Sequence, residues 1–455
     1  MAFHPDQILT ELPDREANYH VAFSGGLDSH VLLHALTSLR DAGKLDGTLK
    51  AIHINHGLNV NADQWAEHCR QVCHQLKVPL DSTEVEVRRQ GQGLEQAARE
   101  ARYSVFSQVM QTDRDVLLTA HHQDDQVETL LFRMLRGTGL RGLGGIRRQR
   151  KLGSGTILRP MLDTMRADLL AYAQAQGLSW ITDDSNADVS LDRNYLRHRV
   201  LPVLSERWPG YRKSLQRLGE FAGQAQSLMT EIGEQDLAQV RDGLHRLSID
   251  ALKQFSQARQ YNVVRSWFLD LEASHGIPAP DAYVTERVFT ELIPAAGDAE
   301  PLISWHKEDQ LVEIRRFGDR IYVVLPDESL QMPATLTWQA ESPLALPGNG
   351  TLSLEEAADE GFVLPEDGKL EIRFRQGGEA AKPAGRRTRS LKKVLQDYQV
   401  PPWLRSRMPL VYLDGELLAV GDLFVTDRWR VLARDAKGKK IYRIRWSRAD
   451  LHCGY

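Results

Sequence analysis

The stretch Tyr19-His-Val-Ala-Phe-Ser-Gly-Gly-Leu-Asp-Ser29 decides the fold of this 455-residue chain. Its first five residues are mostly apolar and predict a buried strand, and the apolar spacing from Ser29 to Leu39 predicts a helix soon after it. The glycine-rich turn between them brings backbone amides and a helix N-terminus to one point, which favours an anion. The sequence therefore predicts a phosphate-binding loop between the first strand and the first long helix.

Outward from this loop, short apolar runs alternate with helical patterns. Strands are predicted at 49–54, 83–87 and 116–119, and helices over 63–76, 94–110 and 124–136. This alternation is typical of a doubly wound parallel α/β sheet, which binds ligands at the carboxyl ends of its strands. We expect three domains: an α/β domain over 1–215, a mainly helical domain over 216–345 and a small α+β domain over 346–455. The Pro- and Gly-containing segment 343–350 is predicted to link the last two.

Composition excludes several classes of protein. Residues 1–13 carry neither the basic region nor the apolar run of a secretory signal, and no apolar stretch reaches the ~18 residues of a membrane-spanning helix. The three cysteines, Cys69, Cys73 and Cys453, are too few for a disulfide framework. We expect a cytoplasmic protein that is not bound to a membrane.

The residues of the loop suit a nucleotide phosphate. Gly25 and Gly26 let the backbone approach closely, and Ser24 and Ser29 add hydroxyl donors. Asp28 can hold a magnesium ion that bridges phosphate oxygens. The chain has no G-x-x-x-x-G-K-[ST] motif, so the loop lacks the lysine that serves γ-phosphate transfer. The alternative is a tight strand-to-helix turn with a capping serine and acid.

In this position, S-G-G-x-D-S resembles the PP-loop of the N-type ATP pyrophosphatases, which include NAD and GMP synthetases and tRNA thiolases. The resemblance implies that ATP is cleaved between its α- and β-phosphates and that AMP is transferred to a substrate oxygen. The segment Ile52-His-Ile-Asn-His-Gly-Leu58 is similar to the strand end at which that family binds the nucleoside. The implied ATP-binding residues are Ser24, Gly25, Gly26, Leu27, Asp28, Ser29, His53 and Asn55.

A pair of acids, Asp125 and Glu128, follows the fourth predicted strand in His121-His-Gln-Asp-Asp-Gln-Val-Glu-Thr129. Asp125 and Glu128 are three residues apart, so they share one face of a helix near its N-terminus. Such a pair beside a nucleotide site suits a cationic substrate, and an acid can deprotonate an amine of pKa about 10.4 before it attacks. The alternative is an acidic helix start stabilised by the helix dipole. For His121 and His122, structural and catalytic roles both stay open.

The run H-H-x-x-D-x-x-E-T and the following Arg136-Gly-Thr-Gly-Leu-Arg-Gly-Leu143 resemble the tRNA(Ile)-lysidine synthetase family. Further similarity lies in the segments 95–103, 193–202, 385–393 and 400–405. The resemblance implies an ATP- and Mg²⁺-dependent ligase. Its reaction joins L-lysine to C2 of the wobble cytidine of tRNA(Ile) with a CAU anticodon, through an adenylated cytidine. The product reads AUA as isoleucine instead of AUG as methionine.

The same resemblance assigns roles within the site. It makes Asp28, Asp125 and Glu128 catalytic, with the last two binding and deprotonating lysine. Arg102, on the helix before the fourth strand, could neutralise the adenylate phosphate, although an ordinary surface arginine fits the pattern equally well. The sequence leaves the oligomeric state open, a homodimer included.

Positive charge is concentrated in the last part of the chain. Residues 371–455 hold 19 Lys and Arg against nine Asp and Glu, whereas the whole chain has a net charge of −4. This asymmetry is typical of a protein that binds a phosphate backbone, or of a solvated basic face. With the resemblance, both later domains are expected to bind tRNA. The expected contacts are Arg193, Arg197, Arg386, Arg387, Arg389, Lys392 and Lys393.

Two other functions stay open. A PP-loop tRNA thiolase would share the ATP site but needs cysteine pairs for its sulfur chemistry. Cys69 and Cys73 are four residues apart in one helical pattern, without a further set of zinc ligands, and are expected to be plain helix residues. A nucleotide-gated tRNA-binding protein without catalysis would have little use for the pair Asp125 and Glu128.

Overall fold

The computed structural model describes residues 3–14, 16–57, 59–87, 94–296, 299, 301–307, 310–326, 335–364, 369–436 and 438–447. The chain divides into two compact units, Met1–Leu228 and Met229–Tyr455. Cys453 lies outside the described residues. None of the helices in the described ranges is long and apolar enough to cross a membrane.

A six-stranded sheet forms the centre of the first unit, in the order β3-β2-β1-β4-β6-β5. Its strands are β1 (Asn18–Ala22), β2 (Leu49–Asn55), β3 (Leu80–Glu84), β4 (Asp115–Leu118), β5 (Gln149–Leu152) and β6 (Gly155–Leu158). All neighbours pair in parallel except β5 and β6, which form an antiparallel hairpin. The carboxyl ends of β1, β2, β4 and β6 therefore meet at one edge, where folds of this class bind ligands.

Helices cover this sheet and complete the unit. They are α1 (Asp6–Leu9), α2 (Leu27–Asp41), α3 (Ala62–Gln75), α4 (Leu94–Val109), α5 (Gln123–Leu135), α6 (Leu140–Leu143), α7 (Arg166–Ala175), α8 (Asp192–Tyr195) and α9 (Leu201–Arg207). A 3₁₀ turn lies at Asp184–Ala187 and a π-helical turn at Leu196–Val200. The apolar face of α2 packs on β1 and β2, where Val21, Val31, Leu36 and Ala51 are fully buried. This burial follows from the helical and strand periods predicted from the sequence, and the doubly wound α/β fold is confirmed.

The third strand and the hairpin were the weak points of the sequence prediction. The strand lies at Leu80–Glu84 rather than 83–87. The prediction missed its start because the strand lies at the sheet edge, and its sequence, Leu-Asp-Ser-Thr-Glu, has one apolar residue. The hairpin of β5 and β6 was not predicted. Its first strand, Gln149–Leu152, is mostly exposed and carries little hydrophobic signal.

The second unit begins within the long helix α10 (Tyr211–Val240), which crosses the boundary between the units. Its first part combines α11 (Ile249–Leu252), α12 (Gln257–His275), α13 (Ala282–Arg287) and a π-helical turn (Val288–Leu292) with an antiparallel sheet. The sheet order is β7-β10-β9-β8, with β7 (Arg246–Ser248), β8 (Leu302–Lys307), β9 (Gln310–Phe317) and β10 (Arg320–Val324). Trp267 and Ile314 lie in its core, so the predicted helical middle region is confirmed, with a small sheet added.

The last part of the chain is rich in β-structure. Its strands are β11 (Thr335–Gln339), β12 (Leu344–Ala345), β13 (Thr351–Glu356), β14 (Glu360–Val363), β15 (Lys369–Phe374), β16 (Ala380–Ala381), β17 (Arg389–Ser390), β18 (Pro409–Leu413), β19 (Glu416–Val420), β20 (Phe424–Val425), β21 (Val431–Leu432) and β22 (Ile441–Ser447). Two sheets run β11-β15-β18-β19-β20 and β12-β13-β22-β14-β21, and β16 pairs with β17. Two short helices, α14 (Leu391–Asp397) and α15 (Pro402–Arg405), and a 3₁₀ turn (Ala433–Asp435) complete it.

The predicted linker at 343–350 was wrong. Pro347, Gly348 and Gly350 lie in a turn that joins β12 to β13, and Leu346 and Asn349 in the same turn are buried. The Asn349 side-chain amide donates to the Arg407 carbonyl at 2.7 Å, which ties the turn into the core. Trp338 of β11 packs in the same core. We therefore propose that the third domain begins before Thr335 and not at 346.

Candidate functional site

The predicted phosphate loop leaves β1 and enters α2 with Gly26 as the N-cap residue. Gly25 has φ +79°, which favours glycine. A Cβ atom on Gly25 would lie 2.5 Å from Ile181 Cδ1 and 3.0 Å from Cys69 Sγ. Both the backbone conformation and the space around it therefore require glycine here.

The serines of the loop hold its shape. Ser29 Oγ accepts from the Ser24 amide at 3.3 Å, lies 3.2 Å from Ser24 Oγ and donates to the Gly26 carbonyl at 3.0 Å. Leu27 is buried, so only its backbone can face a ligand. The structure thus brings the predicted loop residues together around the first turn of α2.

A strap from residues 179 to 183 lies along the loop. The Ile181 amide donates to the Gly25 carbonyl at 2.9 Å, and Ile181 and Gly26 form a short parallel β-bridge. His30 of α2 also donates through Nδ1 to the Ser179 carbonyl, at 2.8 Å. Sequence reasoning missed this strap, because nothing in Ser179-Trp-Ile-Thr-Asp183 marks it as a partner of the loop.

His53 and Asn55 lie at the end of β2. The His53 ring is buried, donates through Nδ1 to the Phe23 carbonyl at 3.0 Å and lies 3.4 Å from Cys69 Sγ. Burial lowers the pKa of His53, which keeps the ring neutral. Asn55 Oδ1 accepts from the Gly57 amide at 2.9 Å. Both side chains support the local backbone, and their contact with ATP stays a prediction.

Asp28 projects from the first turn of α2. Its Oδ2 lies 3.6 Å from His122 Nε2, and its Oδ1 lies 4.0 Å from Arg166 Nε. Burial opposes ionisation, but the hydrogen bond and charge of His122, with Arg166 and Arg197, hold the pKa of Asp28 below its ordinary value. Oδ1 is buried and has no hydrogen-bond partner among the described residues. A buried, unpartnered carboxylate oxygen beside a phosphate loop fits a magnesium ion whose other ligands come from ATP.

His122 connects this loop to α5. As the N-cap residue of α5, its Nδ1 accepts from the Asp125 amide at 3.4 Å, and Asp125 Oδ2 accepts from the His122 amide at 3.0 Å. Its Nε2 faces the carboxylates of Asp28 and Asp125 at 3.6 and 3.5 Å. Burial alone would lower the pKa of His122, but Asp28, Asp125 and Asp124 together raise it above its ordinary value. Asp125 therefore also stabilises the start of its helix, through a capping bond to one of its two oxygens.

The predicted acids meet at Arg197, which the π-helical turn presents. Arg197 donates to Glu128 from Nε at 2.6 Å and from Nη2 at 2.9 Å, and its Nη2 lies 3.5 Å from Asp125 Oδ1. The side chain of Glu128 is only 5% exposed, and that of Asp125 is 25% exposed. Burial, with the charge of Asp125, raises the pKa of Glu128 although Arg197 opposes this. Arg197, predicted to contact tRNA, thus lies against the two acids.

The remaining predicted residues of this unit are Arg102, His121 and Arg193. Arg102 is exposed on α4, and its charge helps to lower the pKa values of His56 and His121. His121 Nδ1 lies 2.9 Å from Thr119 Oγ1. Burial, with the charges of Arg159 and Arg99, lowers the pKa of His121 to about 3. A permanently neutral ring bonded to its own strand favours the structural role for His121. Arg193 is exposed on α8.

Sequence reasoning did not assign a role to Asp124. Its Oδ1 accepts from Arg212 Nε at 2.7 Å, and its Oδ2 accepts from the Arg166 amide at 3.0 Å. The residue therefore fixes the start of α5 against α7 and α10. The neighbouring acids Asp124 and Asp125 were the signal in the sequence, but only the fold distinguishes the structural acid from the one at the site.

The basic residues predicted in the last domain are all exposed. The helix α14 buries Leu391, Val394 and Leu395, and this leaves its basic residues on the solvent side. Arg389 and Arg386 lie 3.1 and 3.9 Å from Asp397 Oδ2. Ion pairs as exposed as these are weak and do not prevent a phosphate from replacing the carboxylate. The exposed residues are Arg386, Arg387, Arg389, Lys392 and Lys393.

The cysteines on α3 are structural. Cys69 and Cys73 are buried free thiols, and burial raises the pKa of each to about 12. Such thiols are poor nucleophiles. Nor does any group of three or more His, Cys, Asp or Glu side chains in the described ranges form a metal site.

Three family models match the chain. They are a PP-loop domain over residues 4–204, a TilS substrate binding domain over 247–322 and a TilS substrate C-terminal domain over 370–446. Among curated proteins, the chain is 43% identical over 413 residues to the tRNA(Ile)-lysidine synthase of Pseudomonas putida, covering 89% of the chain and 92% of the relative. For the enzymes of Pseudomonas syringae and Coxiella burnetii, identity is 42% over 442 residues and 39% over 424. These alignments cover 94% of the chain and 95% of the first enzyme, and 92% of both chains for the second.

Proposed function

The chain belongs to the tRNA(Ile)-lysidine synthase family, and on this premise we propose how its residues carry out that family's reaction. It is a ligase that uses ATP to form lysidine on tRNA(Ile). Membership favours this function over a tRNA thiolase or a non-catalytic binder. The residue roles, the metal and the placement of lysine below are proposals.

In the first step, the wobble cytosine O2 attacks the α-phosphorus of ATP, and pyrophosphate leaves. The backbone amides at the start of α2 and the hydroxyl of Ser24 stabilise the negative charge that grows on the leaving group. The unpartnered Oδ1 of Asp28 would hold Mg²⁺ together with phosphate oxygens, and this ion supplies further charge neutralisation when bound. Arg102, on α4, would neutralise the adenylate phosphate.

In the second step, the ε-amine of L-lysine attacks C2 of the adenylated cytidine, and AMP leaves with the O2 oxygen. The amine must lose a proton before it attacks. We assign the contact with this amine to Asp125, whose side chain is the more exposed of the two acids and whose bond to Arg197 is long, at 3.5 Å. The observation that carries this assignment is that a cationic group, the guanidinium of Arg197, already lies between Asp125 and Glu128.

Glu128 has a different proposed role. Its buried carboxylate holds Arg197 through two hydrogen bonds of 2.6 and 2.9 Å. A bidentate pair of this kind fixes both partners. Glu128 therefore positions Arg197. Arg197 in turn lies beside the Asp125 carboxylate, where its positive charge favours the ionised form that would bind the lysine amine. This assigns Arg197 to the lysine site rather than to tRNA binding.

A turnover assay tests the function. Purified protein, ATP and a CAU-anticodon tRNA should release pyrophosphate and accumulate adenylated tRNA without lysine. Adding L-lysine should release AMP and form lysidine. AMP release that needs a sulfur donor would indicate a thiolase, and tRNA binding without any pyrophosphate would indicate a binding protein.

A further inference from the structure

Three arginines surround Tyr103 beside the site described above. The guanidinium carbons of Arg99 and Arg150 each lie 4.8 Å from the centre of the Tyr103 ring, and Arg99 Nη2 donates to the phenol oxygen at 3.3 Å. Burial opposes ionisation of the phenol, but Arg99, Arg159 and Arg150 lower the pKa of Tyr103 below its ordinary value. The positive charges of all three arginines therefore act on the Tyr103 phenol.

Among the residues whose placement the structure describes, these charges have no acidic partner. In the described part of the chain, the nearby Arg148 pairs with Glu11 and Asp163, but no ion pair joins Arg99, Arg150 or Arg159 to a carboxylate. Arg159 is 3% exposed and donates from Nη1 to the Arg147 carbonyl at 2.6 Å. Its Nε is buried without a hydrogen-bond partner among the described residues. A buried guanidinium with an unused donor and like charges around it is unfavourable until an anion neutralises it.

The cluster lies on the ligand-binding edge of the sheet. Arg159 directly follows β6, and β6 pairs in parallel with β4, which pairs in parallel with β1. Two strand spacings, roughly 10 Å, therefore separate it from the loop that follows β1. His121 lies between, since the charges of Arg159 and Arg99 reach it and its neighbour His122 contacts Asp28.

We propose that Arg99, Arg150 and Arg159 form a second phosphate site, which binds a phosphodiester of tRNA next to the wobble cytidine. The proposal rests on the proposed function, because it takes the wobble base to lie at the phosphate loop. Guanidinium groups match phosphate oxygens in pairs, and the ring of Tyr103 keeps Arg99 and Arg150 in place. A base can reach the loop only if it leaves the anticodon stack, and a phosphate held nearby fixes the nucleotide in that position.

The test compares Arg150→Ala and Arg99→Ala with Arg114→Ala, an exposed arginine at the opposite, amino end of β4. The probe is a CAU anticodon stem-loop, either unmodified or with uncharged methylphosphonates on both sides of the wobble cytidine. Binding is measured without ATP over a series of salt concentrations. ATP and pyrophosphate affinities are measured separately, and melting temperatures check folding.

We expect Arg150→Ala and Arg99→Ala to weaken binding of the unmodified RNA about five- to tenfold and to reduce the salt slope by about one. The methylphosphonates should weaken wild-type and Arg114→Ala binding by a similar factor. They should add little in the two cluster variants, because these variants no longer make the contact that the methylphosphonates remove. Affinity for ATP should not change.

If the arginine substitutions and the methylphosphonates weakened RNA binding independently and additively, the proposal would be overturned, since the arginines and these phosphates would then not be in contact. Unchanged RNA binding with weakened ATP or pyrophosphate binding would assign the cluster to the nucleotide instead. Because RNA binding is measured without turnover, a failure of lysine-dependent AMP release would count against the proposed function and not against this site.

Discussion

At the residue scale, Asp28 offers the clearest single test of the phosphate site. We expect Asp28→Asn, which keeps the shape and removes the charge, to slow pyrophosphate release about a hundredfold or more. The unpartnered Oδ1 would lose its capacity to bind a cation, while tRNA affinity should stay within about twofold because the ion-pair partners of Asp28 among the described residues are His122 and Arg166, neither of which is a predicted tRNA contact. Pyrophosphate release and tRNA binding are measured on the same preparation.

Asp41→Asn is the matched control, since Asp41 ends the same helix and is exposed. It should change neither quantity. Loss of tRNA affinity with normal pyrophosphate release in Asp28→Asn would place the adenylation site elsewhere.

Asp125 and Glu128 lie on the same helix face but are expected to respond differently to mutation. Asp125→Asn should raise the KM for lysine about tenfold or more, the value of one charged hydrogen bond, with pyrophosphate release retained. Adenylated tRNA should then accumulate in single-turnover experiments at low lysine. Equal lysine KM values for the variant and the wild type would leave Asp125 with only its capping role.

Glu128→Gln should act on stability as well as on catalysis. Replacing the buried carboxylate leaves Arg197 with a weaker partner, which should cost about 1–3 kcal/mol because Arg197 is still 31% exposed. Urea unfolding of the first unit measures this difference. A variant as stable as the wild type would show that Arg197 finds another partner.

At the scale of elements, His122 joins the start of α5 to the start of α2, and its charge makes that junction depend on pH. Its pKa in the folded protein lies above the ordinary 6.5. The folded state therefore holds the proton more tightly than the unfolded state does, and the stabilisation is complete below about pH 6.5 and is lost as pH rises through the raised pKa.

The measurement compares wild type with His122→Asn, because asparagine can still cap a helix. We expect the free energy of unfolding of the wild type to fall relative to the variant as pH rises from 6 to 9. A constant difference over this range would mean that His122 is neutral throughout. Pyrophosphate release should also fall in the variant, since Asp28 loses its ion-pair partner His122.

The elements that the sequence predicts well are those with a strong local period. The strand, loop and helix at 19–39 and the helix of Asp125 and Glu128 belong to this group, and the structure places them within a few residues of the prediction. Strands of two residues, such as Leu344–Ala345, carry no period at all. The bond from Trp446 Nε1 to the Asn349 carbonyl joins residues that lie far apart in the chain, and no local pattern records it.

The candidate site was predicted in part for the same reason: a local pattern shows the residues of a motif but not their contacts with residues far away in the chain. Asp28, Asp125 and Glu128 were predicted because each lies in a short motif at a strand end. Arg197 was assigned to tRNA because a sequence shows an arginine but not the acid 69 positions away that it binds. Arg159 was missed because the sequence does not show that it interacts with Tyr103, which lies 56 positions earlier.

At the scale of the whole molecule, the exposed basic face of α14 is predicted to contribute to tRNA affinity. Lys392→Ala combined with Lys393→Ala removes two charges without touching the buried Leu391, Val394 and Leu395. We expect tRNA binding to weaken about five- to twentyfold, and the salt slope to fall by about 0.9 for each duplex phosphate that the helix no longer binds.

The control is Lys44→Ala combined with Lys50→Ala, two exposed lysines of the first unit that lie before and at the amino end of β2, away from the predicted tRNA contacts. ATP-dependent adenylation at saturating tRNA should be the same in all three proteins. Equal affinities and equal salt slopes for both double variants would show that α14 is only a solvated basic surface.

The strap at 179–183 has a consequence for how the protein is made. Gly25 reaches its final conformation against Ile181, which the ribosome adds after the whole parallel sheet has been synthesised. A nascent chain that stops before α7 therefore contains every residue of the phosphate loop without the segment that shapes it. Stalled translation intermediates should gain affinity for ATP only once residue 183 has left the exit tunnel, which a fluorescent nucleotide would report.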